Sequence, residues 1–156
     1  QSLIKSGLLP YGELCRLTNQ SPTLTYKLIG RHISRVVPTK IVNNQSPWLS
    51  SFEIGAVKQI AMSHGEGRLI ISPELYQELA LNGQIACQYS DLDGQATFDP
   101  YFNPNGSDYA IEALTSLDGR VLGKMGHSER MGQDLYKNIV GDKQQDIFTN
   151  GVNYFK

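Results

Sequence analysis

A histidine and a glutamate stand two residues apart in Gly126-His127-Ser128-Glu129-Arg130, directly after the apolar stretch that runs from Arg120 to Met125. In an extended segment, residues i and i+2 project to the same side, about 6.5 Å apart along the chain. Glu129 can therefore reach back to one imidazole nitrogen of His127 and set its tautomer, while the other nitrogen faces outward to take a proton from a nucleophile. That is the spacing of a general base and its orienting carboxylate. A solvated surface ion pair has the same spacing, so the choice between the two rests with the remainder of the chain.

Other residues with chemical potential say less. Cys15 and Cys87 are far apart and outside any CxxC pattern, and neither a signal peptide nor an apolar run of bilayer length is present. A reducing cytoplasm is the simple expectation. Cys87 alternates with Ile85 and Tyr89, and Cys15 follows the first helical stretch, so both read as small buried hydrophobes. Asp91, Asp93, Gly94 and Asp99 superficially suggest a calcium loop, but the ligand order and the closing glutamate are missing, and a hairpin turn is expected instead. The histidines His32, His64 and His127 lack metal-ligand spacing, and no metal is expected on this segment. With 156 residues, a net charge of −1 and 40% hydrophobic residues, the chain reads as about one domain with a real core. Without a basic stripe, neither nucleic acid nor a membrane is expected as a partner.

The elements that must position His127 and Glu129 read as mixed α/β. Gln1 to Leu9 opens as a helix that decays at Gly7 and Pro10, and Gly30 to Val42 alternates as one or two strands, with Pro38 at a break. Lys58 to Met62 reads as a buried strand leading into His64-Gly65-Glu66-Gly67. Ser72 caps a helix through Leu81, with Pro73 at its first position and Gly83 past its end. Strand Gln84 to Tyr89 follows, and Asp118-Gly119 joins strand Ile111 to Thr115 with strand Arg120 to Met125 as a hairpin.

Three ordered motifs, His64-Gly65-Glu66-Gly67-Arg68, Asn103-Pro104-Asn105-Gly106-Ser107 and Gly126-His127-Ser128-Glu129-Arg130, resemble those of the glutamine amidotransferase domain of phosphoribosylformylglycinamidine synthase. The opening Gln1 to Glu13, Ser46-Pro47-Trp48-Leu49 and the closing Gly151-Val152-Asn153-Tyr154-Phe155 are similar to it as well, so the resemblance covers nearly all of residues 1–156 as one domain. In detail the sequence looks most like the single-chain form of the synthase. The resemblance implies a class I amidotransferase α/β fold, with a mainly parallel mixed sheet flanked by helices and the N-terminal part of the domain missing. The chain begins at Gln1 without an initiator methionine and is expected to be a C-terminal fragment.

The resemblance also implies a Cys-His-Glu triad in which His127 and Glu129 are catalytic. Gln1 matches the last residue of the family's Gly-x-Cys-x-Gly-x-Gln elbow, which places the nucleophile four residues upstream and leaves the fragment alone inactive. Gln1 and the loop Asn105, Gly106 and Ser107 are implied to bind the substrate, glutamine. The plain reading of Asn105-Gly106 is a turn. His64 and Glu66 carry no assigned role, and His32 reads as a surface or satisfied core histidine. No cofactor is expected on this segment; ATP and magnesium belong, by implication, to a synthetase domain on the same polypeptide, which would convert formylglycinamide ribonucleotide to the amidine. A non-catalytic docking fragment, or an amidotransferase serving another acceptor, are the alternative readings.

Overall fold

Ser72 stops the chain's extended run and starts a helix. Its side-chain oxygen accepts a hydrogen bond from the Leu75 N–H at 3.1 Å, Pro73 sits where its missing N–H costs nothing, and Gly83 turns the chain away at φ +69°. In a computed structural model, which describes residues 1–26, 30–132 and 134–156 and all but the side chain of Glu66, this element is the third of four α-helices among the described residues: α1 (Ser2–Lys5), α2 (Leu8–Tyr11), α3 (Pro73–Leu81) and α4 (Ile147–Phe155). The strands among the described residues are β1 (Thr23–Tyr26), β2 (Ile33–Ile41), β3 (Val57–His64), β4 (Glu66–Ile70), β5 (Ile85–Tyr89), β6 (Ile111–Thr115) and β7 (Leu122–Lys124).

Five of these strands form one sheet in the order β3-β2-β5-β6-β7, and β1 pairs with β4 in a small second sheet. The α/β class holds, but the mainly parallel sheet does not: every pairing between described strands is antiparallel. Parallel neighbours need a long crossover, usually a helix, between strands of one sheet. Here α3 leads from β4 of the small sheet to β5 of the large one, and no α-helix joins two strands of the same sheet among the described residues, only single 3-10 turns at Pro47–Leu49 and Asp108–Ala110.

Two local expectations also change. The opening helix is broken into α1 and α2 at Gly7, whose φ of +83° lies in the left-handed region, and a Cβ there would meet Cys15 Sγ at 2.4 Å. β2 runs unbroken through Pro38. The N–H and C=O of one strand residue point to the same neighbour; the Pro38 carbonyl accepts from Ser90 N–H at 3.2 Å, just where the β2–β5 register ends at Thr39 and Tyr89. The missing proline donor thus falls at the end of a ladder rather than inside it.

The core fills both sides of the central strands. Leu75 and Leu79 of α3 pack with Ile4, Leu9, Leu69, Ile85, Ile111 and Leu114, while Ile41, Leu49, Cys87, Ala113 and Ile147 form a second cluster. Segments distant in sequence meet at α4. Asp146 caps it by accepting from Thr149 N–H at 3.1 Å, Asn150 Nδ2 donates to the Trp48 carbonyl at 3.1 Å, and Trp48 Nε1 donates to the Arg120 carbonyl at 2.7 Å. The motifs at 46–49 and 151–155 are therefore two halves of one packing interface. No helix among the described residues is long and apolar enough to cross a membrane.

Candidate active site

The hairpin from β6 to β7 delivers His127. Asp118 Oδ1 accepts from Arg120 N–H at 3.1 Å, Gly119 takes φ +73°, and β7 returns antiparallel to β6 with Ala113 opposite Lys124. One residue beyond β7, after Met125 N–H has donated to the Glu112 carbonyl at 3.1 Å, the chain leaves its partner strand. His127 N–H donates to the Ala61 carbonyl at 2.8 Å, and Ala61 lies in β3, the opposite edge of the five-stranded sheet. The sheet curls until its two edges meet at the histidine. Glycine is required just before it, because a Cβ on Gly126 would meet Ile60 Cγ2 at 2.4 Å.

His127 Nδ1 lies 2.6 Å from Glu129 Oε1, the contact expected from their spacing. With Nδ1 as donor, Nε2 carries the lone pair that can accept a proton. The imidazole is 30% exposed and the carboxylate 54%. Partial burial works to raise the Glu129 carboxyl; the hydrogen bond from His127, its own backbone and the nearby positive charges outweigh that and hold it below the usual glutamate range.

His127 and Glu129 line a cavity of about 350 Å³ together with Gln1, Glu112, Lys124 and Ser128, over a wall of leucine and isoleucine that includes Leu9, Leu69 and Leu114. A second cavity of about 230 Å³ shares Gln1, Lys124 and His127 and adds His64 and Gly67. Three sequence-predicted residues, Gln1, His127 and Glu129, thus come together. Neither cysteine lines either cavity: Cys87 is fully buried, its thiol pushed up by burial and by the Glu112 charge, and Cys15 is half-buried beyond α2.

The loop Asn105-Gly106-Ser107 lies behind this surface. Gly106 N–H donates to the Asn103 carbonyl at 3.0 Å, Ser107 N–H donates to Asn103 Oδ1 at 3.2 Å, and Asn105 Nδ2 donates to the Tyr89 hydroxyl at 2.7 Å. Its link to the cavity runs through the Ser107 hydroxyl, which donates to the Gly67 carbonyl at 3.3 Å. Gly67 in turn packs against the His64 ring so closely that a Cβ would meet Cε1 at 2.4 Å. His32 is exposed, and Asp91 serves a turn, accepting from Asp93 N–H at 3.0 Å and Gln95 N–H at 2.8 Å. Glu112 and Lys124 went unnoticed in the sequence. Their signal was a glutamate inside the apolar run Ile111-Glu112-Ala113-Leu114 and a lysine between Gly123 and Met125, where a charge survives burial only with a partner.

Residues 1–155 match the family model of the CobB/CobQ-like glutamine amidotransferase domain. The chain is 35% identical over 86% of its length to phosphoribosylformylglycinamidine synthase subunit PurQ of Chlorobaculum parvum, covering 48% of that protein. It is 33% identical over 99% of its length to the same subunit of Salinibacter ruber, covering 59% of it, so the chain spans about half the length of these relatives. A solved structure of PurLQS from Thermotoga maritima superposes on the whole chain with a TM-score of 0.70 and 26% identity, over 58% of that chain. A curled α/β scaffold that sets a histidine–glutamate pair at its seam, and a match across almost every residue, make this chain a member of the CobB/CobQ-like glutamine amidotransferase domain family.

Proposed function

We propose that this chain is the glutaminase part of phosphoribosylformylglycinamidine synthase, supplying ammonia for the ATP-dependent conversion of formylglycinamide ribonucleotide to the amidine in purine biosynthesis. The observation that carries it is the 2.6 Å His127–Glu129 contact on a cavity shared with Gln1, in a chain whose relatives bear that name. The nucleophile is a cysteine four residues before Gln1 in the full-length protein, a reading supported by the absence of Cys15 and Cys87 from the cavity's lining.

A carboxamide is a poor electrophile, and a thiolate overcomes this by covalent catalysis. His127 Nε2 takes the thiol proton as sulfur attacks the side-chain carbonyl carbon of glutamine. The tetrahedral adduct collapses as the carbon–nitrogen bond breaks, and His127 returns the proton to the departing nitrogen, which leaves as ammonia. Water then attacks the thioester with His127 again accepting a proton, and glutamate leaves as the thiol is restored. Glu129 holds the tautomer of His127 and stabilises the imidazolium. Gln1 and the loop Asn105, Gly106 and Ser107 hold the substrate, the loop's support coming through Ser107 and Gly67. ATP and magnesium belong to the synthetase part, carried in this reading on the same polypeptide and in the cytoplasm; no cofactor is assigned to this segment.

The test is His127→Ala in the full-length protein. Glutamine-dependent amidine formation should fall by about a thousandfold, the scale of general acid–base catalysis, while the reaction with free ammonia is kept. Equal loss with both nitrogen donors would place His127 outside the glutaminase step.

A further inference from the structure

The family match and the triad leave one group unexplained. Glu112 sits in the middle of β6, a strand buried along its whole length, and its side chain is fully buried. Its backbone carbonyl accepts from Met125 N–H at 3.1 Å, as an antiparallel ladder requires. Its side chain goes one residue further. Oε1 accepts from the Gly126 N–H at 2.7 Å, so a side-chain oxygen extends the ladder at the point where β7 has ended and the chain turns toward His127.

The residue on the far side of His127 is fastened to the same cluster. Lys124 Nζ lies 3.6 Å from Glu112 Oε1 and donates to Ser128 Oγ at 2.8 Å and to Gln145 Oε1 at 2.6 Å; Ser128 Oγ itself donates to Gln145 Oε1 at 2.6 Å. Gly126 and Ser128 are thus both held from inside the molecule while His127 between them points to the cavity. Stability alone does not call for such a pair, since a buried ion pair is commonly replaced by apolar side chains at little or no loss. A base whose backbone shifts by even 1 Å, by contrast, loses much of its effect. Gly126 fits this arrangement as well: a Cβ would lie 3.0 Å from Glu112 Oε1 and would push the two apart.

We propose that Glu112, backed by Lys124, is a positioning residue for His127, acting through its hydrogen bond to the Gly126 N–H. This rests on the glutaminase reading above. The test compares Glu112→Leu, which removes the acceptor, with Glu112→Gln, which keeps one, in the full-length protein, reading kcat and KM for glutamine, ammonia-dependent activity and melting temperature. Glu112→Leu should lower kcat for glutamine by about tenfold or more with KM and the ammonia reaction unchanged, and Glu112→Gln should restore kcat to within about threefold of the parent. A folded Glu112→Leu with parental kcat, one that changes only KM, or a Glu112→Gln as impaired as Glu112→Leu would each overturn the proposal. If Glu112→Leu does not fold, Ser128→Ala, which releases the other side of the same segment, decides instead: a loss confined to kcat supports the positioning role and an unchanged kcat overturns it. His127→Ala run in parallel separates the two ideas, because glutamine-dependent activity surviving there defeats the glutaminase reading itself.

Discussion

His127 and Glu129 meet because an extended segment places i and i+2 on one side, and this local rule is why the pair is legible in the sequence. The contact leaves a thermodynamic trace. Glu129 is held below its ordinary value of 4.5, although partial burial works the other way, because the His127 hydrogen bond favours its ionised form. A carboxyl with a depressed folded pKa contributes stability that is complete above the unfolded value and is lost as pH falls through the folded one. The contribution of Glu129 should therefore persist down to about pH 4.5 and fade below it. Its carboxyl carbon, followed by NMR, should titrate below 4.5 in the parent and move upward in His127→Ala; a midpoint indifferent to that substitution would mean the pair does not form in solution. On the glutaminase reading, Glu129→Gln should lower glutamine-dependent kcat less than His127→Ala does, since it would disturb the tautomer and the imidazolium without removing the base. Glu112 was not legible in the same way. Its partner is the N–H of a residue 14 positions on, and only the β6–β7 register brings the two together.

At the scale of elements, legibility follows how local the determinant is. α3 is fixed by Ser72, Pro73 and Gly83 within its own sequence, and it appears where those residues put it. Ser72→Ala should cost about 1 kcal/mol, the usual loss of an N-cap, measured by urea unfolding. Strand direction is not local: the antiparallel sheet depends on which connections cross, and the unbroken register of β2 past Pro38 cannot be read from periodicity alone, whereas the break at Gly7 is marked by the glycine itself. α4 shows the same limit. Its seat against Trp48 depends on Gly151, where a Cβ would meet Trp48 Cζ3 at 2.2 Å, and the ring cannot retreat freely while Nε1 donates to the Arg120 carbonyl. In an isolated helix Gly→Ala stabilises by up to about 1 kcal/mol. Here overpacking costs about 1–3 kcal/mol, so Gly151→Ala should be net destabilising in the same unfolding measurement. A more stable variant would show that α4 docks less closely than the contact implies.

Across the whole molecule, the site forms where segments far apart in the chain converge: Gln1 ahead of α1, His64 and Gly67 at the β3–β4 turn, and His127 to Glu129 at the seam of the curled sheet. The Asn105–Ser107 loop stands one layer behind, joined through Ser107 and Gly67. On the glutaminase reading the loop can serve the substrate in two ways, by direct contact of its backbone or by support of the Gly67 turn, and Gly106 separates them. It takes φ +69°, so Gly106→Val carries a strain of about 1–2 kcal/mol wherever the substrate binds. The melting temperature reads that cost. If the loop backbone meets the α-amino and α-carboxylate end of glutamine, the added side chain should also raise KM for glutamine by about tenfold, with the constant for ammonia unchanged. A folded Gly106→Val with the parental KM would make the loop a support for Gly67 and leave recognition to Gln1 and the His64 side of the cavity.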